Sequence, residues 1–115
     1  MELQAAESVR EVPVLNVSGD VDLRTADSLR DAVEDVLTRC RGLMVIDLTA
    51  VTFLDSAGLR VLDDMQRRAG EADTTIALVC PQRRIVKLLE ITGLDQRFAI
   101  HATAEGAVDA DTDDA

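Results

Sequence analysis

The 115-residue chain contains no Trp and no Tyr, only two Phe, one His (His101) and a single Lys (Lys87). With aromatics at 2% of residues, it has almost nothing on which to stack the bases of a single strand. Acidic residues outnumber basic ones 22 to 12, and the net charge of −10 repels a phosphate backbone. A nucleic-acid partner is therefore not expected. No apolar run approaches the roughly 20 residues that cross a bilayer. Met1-Glu2-Leu3-Gln4 has none of the basic-then-apolar pattern of a secretory signal. The expectation is a cytoplasmic protein without membrane contact. The two cysteines, Cys40 and Cys80, show neither metal-ligand spacing nor the density of a secreted scaffold. Both fall on apolar faces and read as inert buried thiols.

Chemistry-bearing patterns are equally scarce. There is no glycine-rich phosphate loop. A phospho-aspartate receiver needs clustered acids and a companion lysine, and Lys87 lies in the middle of a helical pattern. A serine hydrolase needs a base and an orienting acid, yet His101 stands in no such motif and no G-x-S-x-G occurs. No catalytic residue, metal or cofactor is expected, and the chain does not read as an enzyme.

What is present is a core-forming alternation. Hydrophobic residues make up 47% of the chain, so Leu, Val, Ile and Ala must build the interior. Residues 1 to 10 are ambiguous. Val9 to Ser18 is rich in valine and reads as a strand, with Pro13 pointing to an edge or a locally unpaired position. Gly19-Asp20-Val21-Asp22 reads as a turn. Thr25 is the expected N-cap of a helix whose buried stripe is Ala26, Leu29, Val33, Val36, Leu37 and Cys40, with Gly42 as its stop. Leu43 to Leu48 reads as a central strand covered on both faces, with Asp47 as a local cap or ion-pair member.

After a short turn, Ser56 to Ala69 has helical periodicity with Leu59, Leu62, Met65 and Ala69 inward, and Gly70 as its close. Ile76 to Cys80 is a further strand. Pro81 precedes a helix with Ile85, Leu88 and Leu89 inward and Gly93 as stop, and its Arg83, Arg84 and Lys87 read as a solvated basic face. Phe98 to Ile100 is a short strand, and Thr103 caps a last turn through Val108. Residues 1–109 form one domain. Residues 110–115 form an acidic tail expected to be disordered, since Glu105 to Ala115 holds five acids and no base. Strands alternating with helices place the chain in the α/β class, as a mixed sheet of four to five strands flanked by about four helices.

One stretch invites function. Asp55-Ser56-Ala57-Gly58 opens a helix after a buried strand and a short turn. A side chain there serves as an N-cap, or the position takes an anion or a phosphorylated serine, because the first N–H groups of a helix are unpaired. Gly58 admits a close backbone approach or simply fits the turn. Asp20 and Asp22 lie in a second strand-to-helix connection at the same end of such a sheet.

These residues resemble a known family. Gly19-Asp20-Val21-Asp22, Thr25-Ala26, Leu29, Val45-Ile46-Asp47-Leu48, Phe53-Leu54-Asp55-Ser56-Ala57-Gly58-Leu59 and Thr92-Gly93-Leu94 are similar to the STAS family. That family joins bacterial anti-sigma factor antagonists to the cytoplasmic domains of sulfate transporters. The resemblance implies a phosphorylation-controlled partner switch, with Ser56 as the phosphoacceptor. Asp20, Asp22, Asp55, Ala57, Gly58 and Arg60 then surround the phosphosite and meet the partner. Arg60 departs from the family pattern, which favours a small residue there, and it would clash with a partner or pair with a phosphate. The implied partners are a serine-kinase anti-sigma factor, bound by the unphosphorylated form so that a sigma factor is released, and a PP2C-type phosphatase. The chain's length favours the antagonist branch, as a monomer or weak dimer. The alternative is a STAS subunit of a multiprotein stress-signalling scaffold.

Overall fold

The computed structural model describes residues 1–113. Residues 1 to 10, ambiguous in sequence, form a strand, β1 (Glu2–Val9), which turns back antiparallel onto β2 (Val12–Val21). The hairpin turn is Arg10-Glu11, with φ of 50° and 70°. A two-residue hairpin turn normally takes Asn or Gly at such angles, so the sequence carries no turn signal here. The chain continues through α1 (Ala26–Leu37), β3 (Gly42–Leu54), α2 (Ser56–Glu71), β4 (Thr74–Val79), α3 (Arg83–Thr92), a 3₁₀ turn at Leu94–Gln96, β5 (Ile100–His101) and α4 (Ala104–Asp113).

The strands form one mixed sheet in the order β1-β2-β3-β4-β5, and every pair beyond β1-β2 is parallel. Alternation within each strand divides the core. Leu15, Val17, Met44, Ile46, Ile76 and Leu78 face α1, α2 and α3. Val14, Leu43, Val45, Ala77 and Val79 face α4, which contributes Ala107 and Val108. Pro13 is opposite Ser8, one residue before pairing with β3 begins at Val14, so its missing N–H leaves no gap in the β2-β3 ladder.

Several expected boundaries move, each for a local reason. Gly19 and Asp20 belong to β2, with Gly19 at φ +82° beside a register shift. Thr25 stands at the N-cap position, but its side chain makes no bond to the helix. α1 stops at Leu37, so Cys40 lies in the connection, and Gly42 opens β3 instead of ending the helix. Gly70 is inside α2, and the reversal falls at Asp73, at φ +56°. Phe98 is buried in the core ahead of β5. Gly93, at φ +80°, does end α3, and the Thr103 hydroxyl accepts from the Gly106 N–H at 3.0 Å at the start of α4. α4 carries on to Asp113, into the stretch expected to be a disordered tail, and residues 114 and 115 lie outside the described residues.

The largest departure concerns Thr49 to Leu54, read as a turn and found as the end of β3. Asn16 pairs with Asp47, Ser18 with Ala50, Gly19 with Val51 and Asp20 with Phe53. β3 therefore carries an extra residue at two places relative to β2. Its inward residues become Leu48, Val51 and Leu54, three apart instead of two. Such bulges bend a strand and re-aim the residues beyond them. Here they deliver Asp55-Ser56 to the end of the sheet.

Candidate functional site

Asp55, extended at φ −104° and ψ −175°, is the N-cap of α2. Its Oδ1 accepts from the Ala57 N–H at 2.9 Å and the Gly58 N–H at 3.2 Å. Of the two candidates for the cap, the carboxylate fills the role. Ser56 follows as the first helical residue, exposed, with its hydroxyl not engaged in capping. The helix start thus presents a free hydroxyl on a turn that a neighbour has already secured.

The β2-α1 loop is clamped beside it. The Asp55 N–H donates to the Val21 carbonyl at 3.1 Å. Gly58 is buried, and a Cβ there would lie 2.6 Å from Leu54 Cδ1, 2.8 Å from Val21 Cγ1 and 3.3 Å from the Val21 oxygen. Only the missing side chain lets the end of β2 come this close. Asp20 and Asp22 flank Val21, so the structure brings both next to the Asp55-Ser56 turn, as the sequence expects.

Each acid has a defined environment. Asp20 Oδ1 accepts from the Thr52 hydroxyl at 2.8 Å, which ties the loop to β3. Asp22 Oδ1 accepts from the Arg24 N–H at 2.9 Å, and Asp22 Oδ2 pairs with the Arg24 guanidinium at 3.4 Å. Burial alone would raise the Asp22 carboxyl. The Arg24 hydrogen bonds and charge outweigh it and hold the group below the usual carboxylate range. Thr25 serves this loop instead of the helix, its hydroxyl accepting from the Asp22 N–H at 2.9 Å.

Arg60 is exposed one turn along α2 from Ser56 and has no ion pair among the described residues. The two share a shallow groove of about 420 Å³ with Leu59, Asp63 and Arg97, between α2 and the 3₁₀ turn. Arg97 Nε pairs with Asp63 Oδ1 at 2.9 Å. Large apolar side chains stand out at the same end of the molecule, with Leu23 79% and Phe53 51% exposed.

Sequence reasoning missed three supports of the site. Gln82 Nε2 reaches the carbonyls of Leu48 (2.8 Å), Thr49 (2.6 Å) and Val51 (3.2 Å), which β4 no longer covers after Val79. Arg84 Nη2 donates to the Thr52 carbonyl at 2.7 Å. Gln66 fixes α2 to β4, accepting from the Ile76 N–H at 2.9 Å and donating to the Ile76 carbonyl at 3.0 Å. The partners of Gln82 and Arg84 are more than thirty residues away and that of Gln66 lies in the next strand, and a lone Gln or Arg in a helical pattern carries no mark of them. Asp47 acts locally, accepting from the Thr49 N–H at 2.9 Å. Burial raises both thiols, and at Cys80 the charge of Asp47 adds to the effect.

Among the described residues no helix is long and apolar enough to cross a membrane, and no cluster of His, Cys, Asp or Glu could hold a metal ion. Comparison with known proteins finds relatives across most of the chain. The anti-sigma-F factor antagonist RsfB of Mycobacterium tuberculosis is 34% identical over 99 residues, covering 84% of this chain and 79% of that one. The anti-sigma-B factor antagonist of Listeria monocytogenes is 32% identical over 84 residues, or 73% of this chain and 74% of that one. The crystal structure of an anti-sigma factor antagonist from Mycobacterium paratuberculosis superposes with a TM-score of 0.78 at 32% identity, covering 95% and 93% of the two chains. SpoIIAA in its unphosphorylated form shares the fold at a TM-score of 0.77 and 20% identity. The model of the STAS domain matches residues 4–107, the span that holds β2 to β5, most of β1 and the Asp55-Ser56 turn, and the chain belongs to the STAS domain family.

Proposed function

We propose that this chain is an anti-sigma factor antagonist acting as a phosphorylation-controlled partner switch in the cytoplasm, without enzymatic activity of its own. The observation that carries the reading is the exposed Ser56 hydroxyl, at the head of a helix whose cap is supplied by Asp55. The relatives named as antagonists of anti-sigma factors support it. In this reading a serine-kinase anti-sigma factor binds the unphosphorylated surface and releases its sigma factor. The kinase transfers the γ-phosphoryl group of ATP to Ser56 Oγ. The hydroxyl proton passes to a base on the kinase, and ADP leaves. A PP2C-type phosphatase directs water onto phosphorus, which restores the hydroxyl and yields inorganic phosphate.

The local electrostatics suit a switch. A phosphoserine adds a charge of about −1.5 to −2. The helix N-terminus offsets part of this, by about 0.3–1 kcal/mol. Asp55 keeps its cap on the Ala57 and Gly58 N–H groups, so the helix start survives modification. What changes is the surface, where the new charge joins Asp20, Asp22 and Asp55. A partner fitted to three carboxylates and a neutral hydroxyl meets a dianion instead.

The test is to measure binding of Ser56→Ala and Ser56→Asp to a serine-kinase anti-sigma factor, with phosphosite mapping by mass spectrometry after incubation with ATP. Ser56→Ala should bind at all times and accept no phosphate, and Ser56→Asp should bind poorly. Equal affinities, or phosphate on another residue, would refute the switch.

A further inference from the structure

We propose that the groove between the end of β3 and α3 docks an acidic, apolar-anchored segment of a protein partner. This adds a second contact to the partner surface proposed above. The groove holds about 480 Å³, with Phe53, Leu54, Leu88 and Ile91 along it and Arg84 and Lys87 at its rim. Phe53 and Ile91 are 51% and 72% exposed, two of the three large apolar side chains left open to water among the described residues. Leu88, expected to face the core, is only half-buried and turns toward this groove.

Charge identifies the occupant. Seven of the twelve cations have an acidic partner: Arg10, Arg24, Arg30, Arg39, Arg67, Arg68 and Arg97. Among the described residues five do not, namely Arg41, Arg60, Arg83, Arg84 and Lys87. Three of those five lie together on α3. In a chain with 22 acids, α3 carries only Glu90 against these three cations, and none of the three forms an ion pair among the described residues, so the helix presents a local excess of positive charge. Arg83 and Arg84 also occupy the first turn of α3, which holds no acid, so their charge opposes the helix dipole. The bond from Arg84 to the Thr52 carbonyl holds that guanidinium at the groove edge and leaves its charge unpaired.

The groove is built on fixed walls. Ile85 and Leu89 root α3 in the core, and Gln82 anchors β3. A carboxylate-bearing segment with apolar side chains satisfies both features at once. Nucleic acid would meet the remaining surface of a chain at −10. Because Phe53-Leu54 lead directly into Asp55-Ser56, a bound segment lies next to the proposed switch.

The test titrates the full ¹⁵N-labelled chain with a synthetic peptide of about 15 residues. The peptide is rich in Glu, with Leu at i and i+4, and a Lys-for-Glu version is run beside it. The acidic peptide should shift amides of residues 52–54 and 85–91, and bind more weakly as salt rises. Arg84→Gln with Lys87→Gln should weaken it about threefold to tenfold, the scale of two exposed ion pairs. Ile91→Ser, at an exposed position, should abolish the shifts while leaving the thermal melt unchanged. Absence of binding, equal response to the Lys peptide, or shifts confined to another face would overturn the proposal. So would light scattering that shows a dimer in the wild type and a monomer in Ile91→Ser, since a second copy would then fill the groove. The peptide assay needs neither kinase nor phosphate, so its failure is distinct from failure of the Ser56 reading.

Discussion

Two glycines in α2 should respond to alanine with opposite sign. Gly58→Ala gains helix propensity of up to about 1 kcal/mol. Against this, the new methyl would sit 2.6 Å from Leu54 Cδ1 and 2.8 Å from Val21 Cγ1. The Leu54 methyl can rotate away. Val21 cannot, because it is fully buried and β-branched, and its carbonyl is held by the Asp55 N–H at 3.1 Å. Overpacking of this kind costs about 1–3 kcal/mol. With the full propensity gain the net is a loss of up to about 2 kcal/mol, or a fall in Tm of up to about 8 °C for a domain of this size. Gly70→Ala, in the same helix with nothing within 4 Å of its Cβ, should gain about 0.5–1 kcal/mol. Guanidinium denaturation followed by circular dichroism reads both. In ¹⁵N spectra, Gly58→Ala should move the amides of residues 20–22 and 54–56, as the β2 end is pushed off the helix. A Gly58→Ala protein as stable as the wild type, with those amides unmoved, would refute the close approach on which the site is built.

Gln82→Ala leaves the carbonyls of Leu48, Thr49 and Val51 without their amide donor, and should cost about 1–3 kcal/mol. Hydrogen exchange should then accelerate over residues 49–54 ahead of the rest of β3. Burial raises the Cys80 thiol above its usual range, so it should react slowly with a thiol reagent in mildly alkaline buffer and at normal speed in denaturant. Stability is linked to the same shift. The contribution is intact below the unfolded thiol's titration range and is lost as pH rises toward the folded one, so Cys80→Ala should flatten the alkaline decline measured by denaturation at stepped pH.

The class of fold was legible because core burial imposes periodicity. The stripe of α1 as far as Leu37, Ile85 and Leu89 of α3, the continuous run Leu43 to Leu48 and the stop at Gly93 all follow from local patterning. β1 was hidden by a turn made from Arg10 and Glu11, which carry no preference for positive φ. The end of β3 was hidden because two bulges break the alternation by which a strand is recognised, and its apolar residues repeat at three. Gly70 misled because a glycine in a helix without contacts looks the same in sequence as one that ends it.

At the site, the Asp55-Ser56 pair could be recognised as a helix start from the sequence, and Asp20 and Asp22 as a neighbouring loop. Which of the pair serves as the cap is a question of backbone direction, and a string of residues does not contain it. The extended geometry of Asp55 gives its carboxylate the two N–H groups and leaves the Ser56 oxygen outside. The same holds for Gln82 and Arg84, whose partners lie more than thirty residues away. Local patterning determined the layers of this protein, because burial acts on every apolar side chain wherever it falls. Tertiary structure alone decided which polar groups are spent on the fold and which stay free, because that depends on contacts between segments the sequence keeps apart.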